Sequence, residues 1–143
     1  MSSPILFDSQ ALDAEQLIIA WLQPLRPTAI ARVGGDPLPF TLVHQVGGYE
    51  NPCYGTADVL IQVDTLCART LGYEAARAEM RKTKQAMDEL AVHNDAITLF
   101  DGSQVGVDYV TVAESPRFKL YEDETILRTM GRYDIGLCYV PAP

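Results

Sequence analysis

Basic residues are scarce in this sequence of 143 residues. Eleven Lys and Arg stand against nineteen Asp and Glu, which gives a formal net charge of −8 at pH 7. An open nucleic-acid-binding module normally carries the opposite balance, because phosphate contacts need a basic face. The composition therefore argues against such a module.

Cysteine and histidine are also rare. The three cysteines, Cys53, Cys67 and Cys138, cannot all pair, and no two have CxxC spacing; we expect reduced, mostly buried thiols, as in cytosolic proteins. His44 and His93 have no local partners that would complete a metal site. No cysteine has a reactive context, and no serine lies in a G-x-S-x-G turn. A Cys–His nucleophile stays open, but the sequence favours a non-enzymatic protein without metal or cofactor.

Long apolar runs are absent. The longest, Leu17–Leu22, is too short to span a bilayer, and no basic-then-apolar signal opens the chain. We therefore expect neither secretion nor membrane insertion. The length and the composition, 48% hydrophobic and 21% charged, are those of an ordinary globular protein. They predict a single domain, residues 1–143, with short N- and C-terminal tails.

Two segments have helical periodicity. The first begins after Asp13, a capping residue, and Pro24 predicts its end near Leu22 or Gln23. The second runs from about Gly72 to Asn94. Its predicted buried stripe consists of Tyr73, Ala76, Met80, Thr83, Met87, Leu90 and Asn94.

The other segments have strand patterns. They are Thr28–Val33, Phe40–Val46, 57–65, Ile97–Phe100, Val105–Glu114 and Ile126–Val140, with loops at Gly47–Gly55 and 115–124. The order of one helix, three strands, a long helix and three strands predicts an α+β fold. We expect an antiparallel or mixed sheet with two helices packed on one face.

Two strands show which side chains face the core. In 57–65, one set of side chains consists of Val59, Ile61, Val63 and Thr65, and the opposite set consists of Asp58, Gln62 and Asp64, with Leu60 as the exception to the alternation. In the last strand, the alternation predicts two sets of side chains. Tyr133, Ile135, Leu137 and Tyr139 face the core, and Arg128, Arg132 and Asp134 face outward. The glycine pairs Gly34–Gly35 and Gly47–Gly48 do not open helices, so we interpret them as turn residues with positive φ rather than phosphate loops.

Several phrases of the sequence resemble the tail terminator proteins of long-tailed (siphovirus-type) phages, especially those infecting actinobacteria. They are LDAEQLIIAWLQPL, PFTLVHQVGGYENP, ADVLIQVDTLCARTLGYEAARAEMRKTKQAMDEL and LYEDETILRTMGRYDIGLCYV. The resemblance covers nearly the whole chain. The sequence departs from the family at ENPC, where a more basic loop is expected, and at Cys67, which interrupts the joint between strand and helix.

The resemblance implies a structural virion protein located at the junction of tail and neck and assembled in the host cytoplasm. Such proteins form a homohexameric ring that caps the completed tail tube and joins it to the head. The implied partners are other copies of the chain, the major tail tube protein and a head-completion or connector protein. DNA only passes through the lumen, and Asp58, Gln62 and Asp64 are candidate lumen-facing residues because acidic groups repel phosphate.

The two predicted loops are candidate contacts between subunits or with the tube. Each is long for a connection within a compact domain, and each carries aromatic residues of the kind enriched in interfaces. The candidate interface residues are Tyr49, Glu50, Tyr54, Arg117, Phe118, Lys119, Tyr121, Glu122, Asp123 and Glu124. The alternative is that these aromatic side chains fold back on the core of their own chain.

Two other functions stay open at this stage. One is another neck or tail-completion protein or the tail-tube subunit, although the short predicted strands argue against the long hairpin that a tube subunit needs. The other is a small acidic binding module unrelated to virions, which the charge of −8 favours.

Overall fold

The computed structural model describes residues 13–51, 53–93 and 95–139. Two helices and six strands follow the predicted order. They are α1 (Ala14–Leu22), β1 (Thr28–Ala29), β2 (Phe40–Asn51), β3 (Thr56–Ala68), α2 (Gly72–Ala91), β4 (Ile97–Thr98), β5 (Gln104–Lys119) and β6 (Ile126–Tyr139). A 3-10 turn, Arg69–Leu71, precedes α2. The predicted N-terminal tail, Asn94 and Val140 lie outside the described residues.

The strands form one mixed sheet in the order β1-β2-β3-β6-β5-β4. Only the pair β1–β2 is parallel, and every other neighbouring pair is antiparallel. The hairpin β2–β3 joins strands of 12 and 13 residues, and the hairpin β5–β6 joins strands of 16 and 14 residues. The expectation of short strands is therefore wrong, and it no longer counts against a tube subunit.

Both helices pack on the same face of the sheet. The main core contains Leu17, Ile18 and Leu22 of α1 and Met87 and Leu90 of α2. The sheet side chains beneath them alternate along the strands, and they include Val59, Ile61, Val63, Tyr133, Ile135 and Leu137. The predicted α+β fold and the predicted alternation are confirmed for these residues.

The helix boundaries follow local chemistry. Asp13 caps α1 by accepting a hydrogen bond from the backbone N–H of Gln16 at 3.0 Å, which satisfies one of the free donors of the first turn. Pro24 follows the end of α1 at Leu22. In α2, Ala76, Thr83, Met87 and Leu90 are buried as predicted, whereas Tyr73 is 52% exposed.

Three predicted boundaries are corrected. The first strand ends at Ala29 rather than Val33, since only Thr28 and Ala29 pair with β2. The N–H of Val33 donates to Asp36 Oδ2 instead. Residues Gly47–Asn51 belong to β2 rather than to a loop. Ser115–Lys119 likewise belong to β5, which passes through Pro116. Proline is tolerated there because Pro116 lies in an irregularity between Glu114 and Arg117, where β5 is not regularly paired with β6.

Gly48 shows why its strand needs glycine. Its φ is +123°, and a Cβ added there would lie 2.4 Å from the carbonyl oxygen of Asp58 and 2.6 Å from Cα of Val59. Gly35 also has a positive φ, as predicted, but it faces open space. Gly48 therefore permits close approach of two strands rather than a turn.

Candidate functional site

The sheet face opposite the helices has an apolar cluster of Phe40, Leu42, Leu66 and Ile126 and, beside it, a polar region. Ion pairs cross this polar region from strand to strand. Arg128 on β6 pairs with Asp64 on β3 at 3.2 Å. Arg132 Nε donates to Gln62 Oε1 at 3.2 Å, and Arg132 Nη1 lies 3.6 Å from Glu114 Oε1. The register of β3 against β6 places these residues opposite or beside one another. The predicted acidic stripe is therefore partly neutralised by arginines from the neighbouring strand.

The three candidate lumen residues differ in exposure. Asp64 is only 4% exposed, and burial raises its pKa despite the opposing effect of Arg128 and Gln62. Asp58 and Gln62 are half-buried. Asp64 therefore lacks the exposure that a lining residue needs, and only Asp58 and Gln62 stay available for that role.

A row of residues at one end of this face links all four long strands. Tyr49, Asp58, Gly136 and Tyr109 are neighbours in register on β2, β3, β6 and β5. The Tyr109 ring lies over Gly136, where an added Cβ would meet the ring at 2.2 Å. A hydrogen bond to Asp58 raises the pKa of Tyr109 to about 12, and Tyr49 Oη lies 3.5 Å from Asp58 Oδ2. Asp58 therefore lies between two phenols, and the hydroxyl of Tyr49 is at the limit of hydrogen-bond distance from it.

The two candidate interface regions lie at opposite ends of the sheet. Tyr49, Glu50 and Tyr54 lie at or beside the β2–β3 hairpin tip, and the group 117–124 lies at the β5–β6 hairpin tip and the strand before it. Along β3 the two ends are separated by up to about 40 Å at roughly 3.3 Å per residue. The structure does not bring these regions together within one chain.

The four aromatic side chains in these regions divide into two groups. Tyr49 and Tyr54 are 69% and 76% exposed. Phe118 packs edge-on against Tyr73 with ring centroids 5.2 Å apart, and Tyr121 packs against the cluster of Phe40, Leu42, Leu66 and Ile126. Phe118 and Tyr121 therefore fold back on their own chain, as the alternative interpretation predicts, whereas Tyr49 and Tyr54 do not.

The acidic turn at the β5–β6 tip is ordered by its own hydrogen bonds. Asp123 Oδ1 accepts from the backbone N–H of Thr125 at 2.9 Å and from its hydroxyl at 2.6 Å, and these bonds lower the pKa of Asp123. Arg69 Nε donates to the carbonyl oxygen of Glu124 at 2.6 Å. Glu122, Asp123 and Glu124 are all exposed. The turn thus presents three carboxylates in a fixed backbone.

The two basic residues before this turn have different surroundings. Arg117 lies 3.5 Å from Glu114 on the same strand. Lys119 is exposed and is paired in register with Arg128. Both signs of charge therefore occur at this end of the sheet.

Sequence reasoning missed a buried polar network beneath α2. Arg26 is 5% exposed and pairs with Glu79 at 2.6 Å. Its Nη1 also donates to the hydroxyls of Thr41 and Thr83. Burial raises the pKa of Glu79, but hydrogen bonds from Arg26 and Lys82 outweigh it, so the net pKa is lowered. Arg26 follows the end of α1, where no periodicity marks a residue as buried.

The cysteines of the chain are free thiols. Cys67 is buried, Cys138 is half-buried and Cys53 is exposed at the β2–β3 tip. Burial raises the pKa of Cys67, and it also raises that of Cys138. Thiols with raised pKa values are weak nucleophiles at neutral pH.

The described residues contain no candidate metal site and no candidate membrane-spanning helix. Within residues 13–51, 53–93 and 95–139, no group of three or more His, Cys, Asp or Glu side chains is placed to hold a metal ion. Neither helix in the described part of the chain combines the length and hydropathy that crossing a membrane requires.

Comparison with known proteins identifies a similar fold but no family. No family model matches the chain, and no curated protein matches it. Among solved structures, the chain is similar to a chain from the virion of the native gene transfer agent (GTA) particle. The match has a TM-score of 0.52 and 13% sequence identity, and it covers 89% of this chain and 88% of that chain. The likeness is one of fold over nearly the whole domain.

Proposed function

We propose that this chain is a structural virion protein, namely a tail terminator that caps the completed tail tube as a six-subunit ring and joins it to the head. The observation that carries the proposal is the likeness in fold to a chain of the gene transfer agent virion, which extends over 89% of this chain. The sequence resemblance to tail terminators supports the more specific role. The protein then resides at the tail–neck junction of the virion after assembly in the host cytoplasm.

Ring formation requires two different surfaces on each subunit. A head-to-tail contact closes a ring when one patch of a subunit meets a second, different patch of the next. The candidate regions around Tyr54 and Glu122–Glu124 lie at opposite ends of the sheet, so neither blocks the other. Their positions suit contacts with two different neighbours, among them the major tail tube protein and a head-completion or connector protein.

The uncovered sheet face is a candidate lining of the lumen through which DNA passes. Asp58 is half-buried on that face, and the face holds carboxylates that disfavour phosphate. We propose that Asp58 and Gln62 line the lumen, and that DNA passes the ring without being bound. No catalysis, cofactor or metal enters this role. Turnover lost in a Cys67→Ala or His44→Ala variant, or a stoichiometric bound Zn²⁺, would contradict it.

A tail-tube subunit is the second candidate, because the long paired hairpins favour it. The hairpins β2–β3 and β5–β6 contain strands of 12 to 16 residues. Strands of this length are able to build an extended wall between copies.

Electron microscopy of particles lacking this protein distinguishes the candidates. Loss of a terminator gives overlong tails, or heads and tails that fail to join, whereas loss of a tube subunit gives no tail tubes. Supplying the wild-type chain in trans is the control and restores normal particles. Normal capped and joined tails without the chain would refute both candidates.

A further inference from the structure

Within the described residues, the sheet has a long outer edge without a strand partner on each side. On β2, the short strand β1 pairs only with Thr41 and Leu42, and no described strand pairs with the outer edge from Val43 onward. On β5, β4 pairs only with Gln104 and Val105, which leaves the outer edge after Val105 without a described strand. Such edges offer rows of backbone N–H and C=O groups to another chain.

Each open edge contains an uncharged segment. On β5 it is Tyr109–Ala113, rich in the β-branched and aromatic residues that favour strands, and Val112 is 41% exposed. On β2 it is Gln45–Tyr49, where Val46 is 44% exposed. Natural edge strands are normally protected by charges or a cover, and an uncharged apolar edge predicts association.

The two segments lie at the same level of the sheet. Register places Tyr49 in the row of Tyr109, and Gly47 in the row of Thr111. The bulges of β5 at Val107/Tyr109 and Val112/Glu114 limit the regular stretch to about these residues. The β2 segment contains a bulge of its own between Gln45 and Gly47. An added strand therefore meets a short, regular segment on β5 and a bulged segment on β2.

The strand directions also match. Because β2, β3, β6 and β5 are successively antiparallel, β2 and β5 run in opposite directions. The β5 edge of one copy and the β2 edge of a second copy consequently pair antiparallel, and the alternation of the sheet continues across the junction.

We infer that copies of this chain join head to tail by pairing Tyr109–Ala113 of one copy with Gln45–Tyr49 of the next. The inference deepens the proposed function and rests on it for the identity of the partner, a second copy. The backbone hydrogen bonds supply attraction, as in other cases of strand addition. Glu15 of the same chain accepts the N–H of Gln45 at 2.9 Å, so pairing replaces this contact or begins just after it.

Charged edge variants test the inference on the purified full-length chain. Thr111→Lys blocks the β5 edge and Val46→Lys blocks the β2 edge, since lysine is a common protection of natural edges. Gln85→Lys, at an exposed position of α2, adds the same charge away from both edges and is the control. Circular dichroism checks folding. Sedimentation velocity measures self-association at protein concentrations up to about 1 mM. At that concentration a dissociation constant of about 1 mM is detectable, which corresponds to roughly 4 kcal/mol of binding free energy.

The wild type and Gln85→Lys are expected to associate with the same dissociation constant. Each edge variant alone is expected to have a dissociation constant at least about tenfold higher. An equal mixture of the two edge variants is expected to form dimers but no larger species, since each mixed pair keeps one intact junction. Association lost only in Thr111→Lys would instead indicate β5–β5 pairing, and association lost only in Val46→Lys would indicate β2–β2 pairing. Either result overturns the inference, as does a wild type that stays monomeric throughout.

Hydrogen–deuterium exchange provides a second measurement without substitutions. Amides in 45–49 and 109–113 are expected to gain protection as the wild-type concentration rises, and amides of the exposed turn 122–124 are not. The reverse pattern would place the contact at the turn and refute edge pairing. Failure of the proposed function is recognised separately, by normal particles in the absence of the chain.

Discussion

Glu79→Ala is expected to destabilise the fold strongly although Glu79 lies on a surface helix. The substitution removes the carboxylate that pairs with Arg26 at 2.6 Å. The Arg26 side chain is only 2% exposed, so its charge stays beneath α2 without an anionic partner. The hydroxyls of Thr41 and Thr83 still accept its N–H groups, but neither carries a compensating charge.

The magnitude follows from burial. Removing one partner of a buried pair costs about 3–5 kcal/mol. The Glu79 side chain is 23% exposed, so water reaches the vacated position, and we expect the lower end, about 3 kcal/mol. The exposed pair Lys84–Asp88 has nearly the same distance, 2.7 Å, yet Asp88→Ala should cost only about 0.5 kcal/mol or less.

Urea denaturation followed by the fluorescence of Trp21, the sole tryptophan, measures both changes in the free energy of unfolding. Trp21 Nε1 donates to the carbonyl oxygen of Ala86 at 2.8 Å, so its signal reports the packing of α1 on α2. Arg26→Met combined with Glu79→Leu should recover most of the loss, because no charge is then left buried. Equal costs for Glu79→Ala and Asp88→Ala would refute the reasoning.

Three other predictions concern pH, backbone and surface charge. Because burial raises the folded-state pKa of Asp64 above 3.8, its contribution to stability falls as pH rises above that value. The lowered pKa of Glu79 makes its contribution complete above 4.5 and lost as pH falls. The free energy of unfolding of Asp64→Asn and Glu79→Gln, measured against the wild type between about pH 3 and 7, checks these two opposite pH dependences. A difference from the wild type that changes with pH in the same direction for both variants would contradict them. Gly48→Ala should lower the free energy of unfolding by about 1–3 kcal/mol, because the position has a positive φ and the added Cβ meets neighbouring backbone. Gly34→Ala, whose added Cβ meets no atom within 4 Å, should leave thermal unfolding nearly unchanged. Charge reversal across Glu122–Glu124 should keep the chain folded by circular dichroism, since exposed substitutions rarely exceed about 0.5 kcal/mol, and should impair tail capping in particles. Normal particle yield would remove this turn as an interface.

Local features could be predicted where their cause lies within a few residues. The cap at Asp13, the end of α1 before Pro24 and the start of α2 at Gly72 agree with the sequence patterns. The alternation in β3 also identified its core face. Each of these features depends on residues one to four positions apart in the sequence. The interacting residues are therefore visible together in a short segment.

The candidate site could be predicted only in part. The sequence placed Asp58, Gln62 and Asp64 on one polar face, but it did not indicate that Arg128 and Arg132 lie opposite them. That pairing depends on the register between β3 and β6, which joins residues about 60 to 80 positions apart.

The sequence by itself determined the order of elements, the helix caps and the two faces of the central strands, because short-range periodicity and capping chemistry encode them. Only the tertiary structure decided that Gly47–Asn51 and Ser115–Lys119 extend the strands. It also decided that Arg26 is buried beneath α2. The physical reason is that a segment rich in glycine or containing proline has no strong local preference for a strand. Its conformation is set by the partner strand, and a partner distant in sequence becomes a neighbour only when the sheet forms.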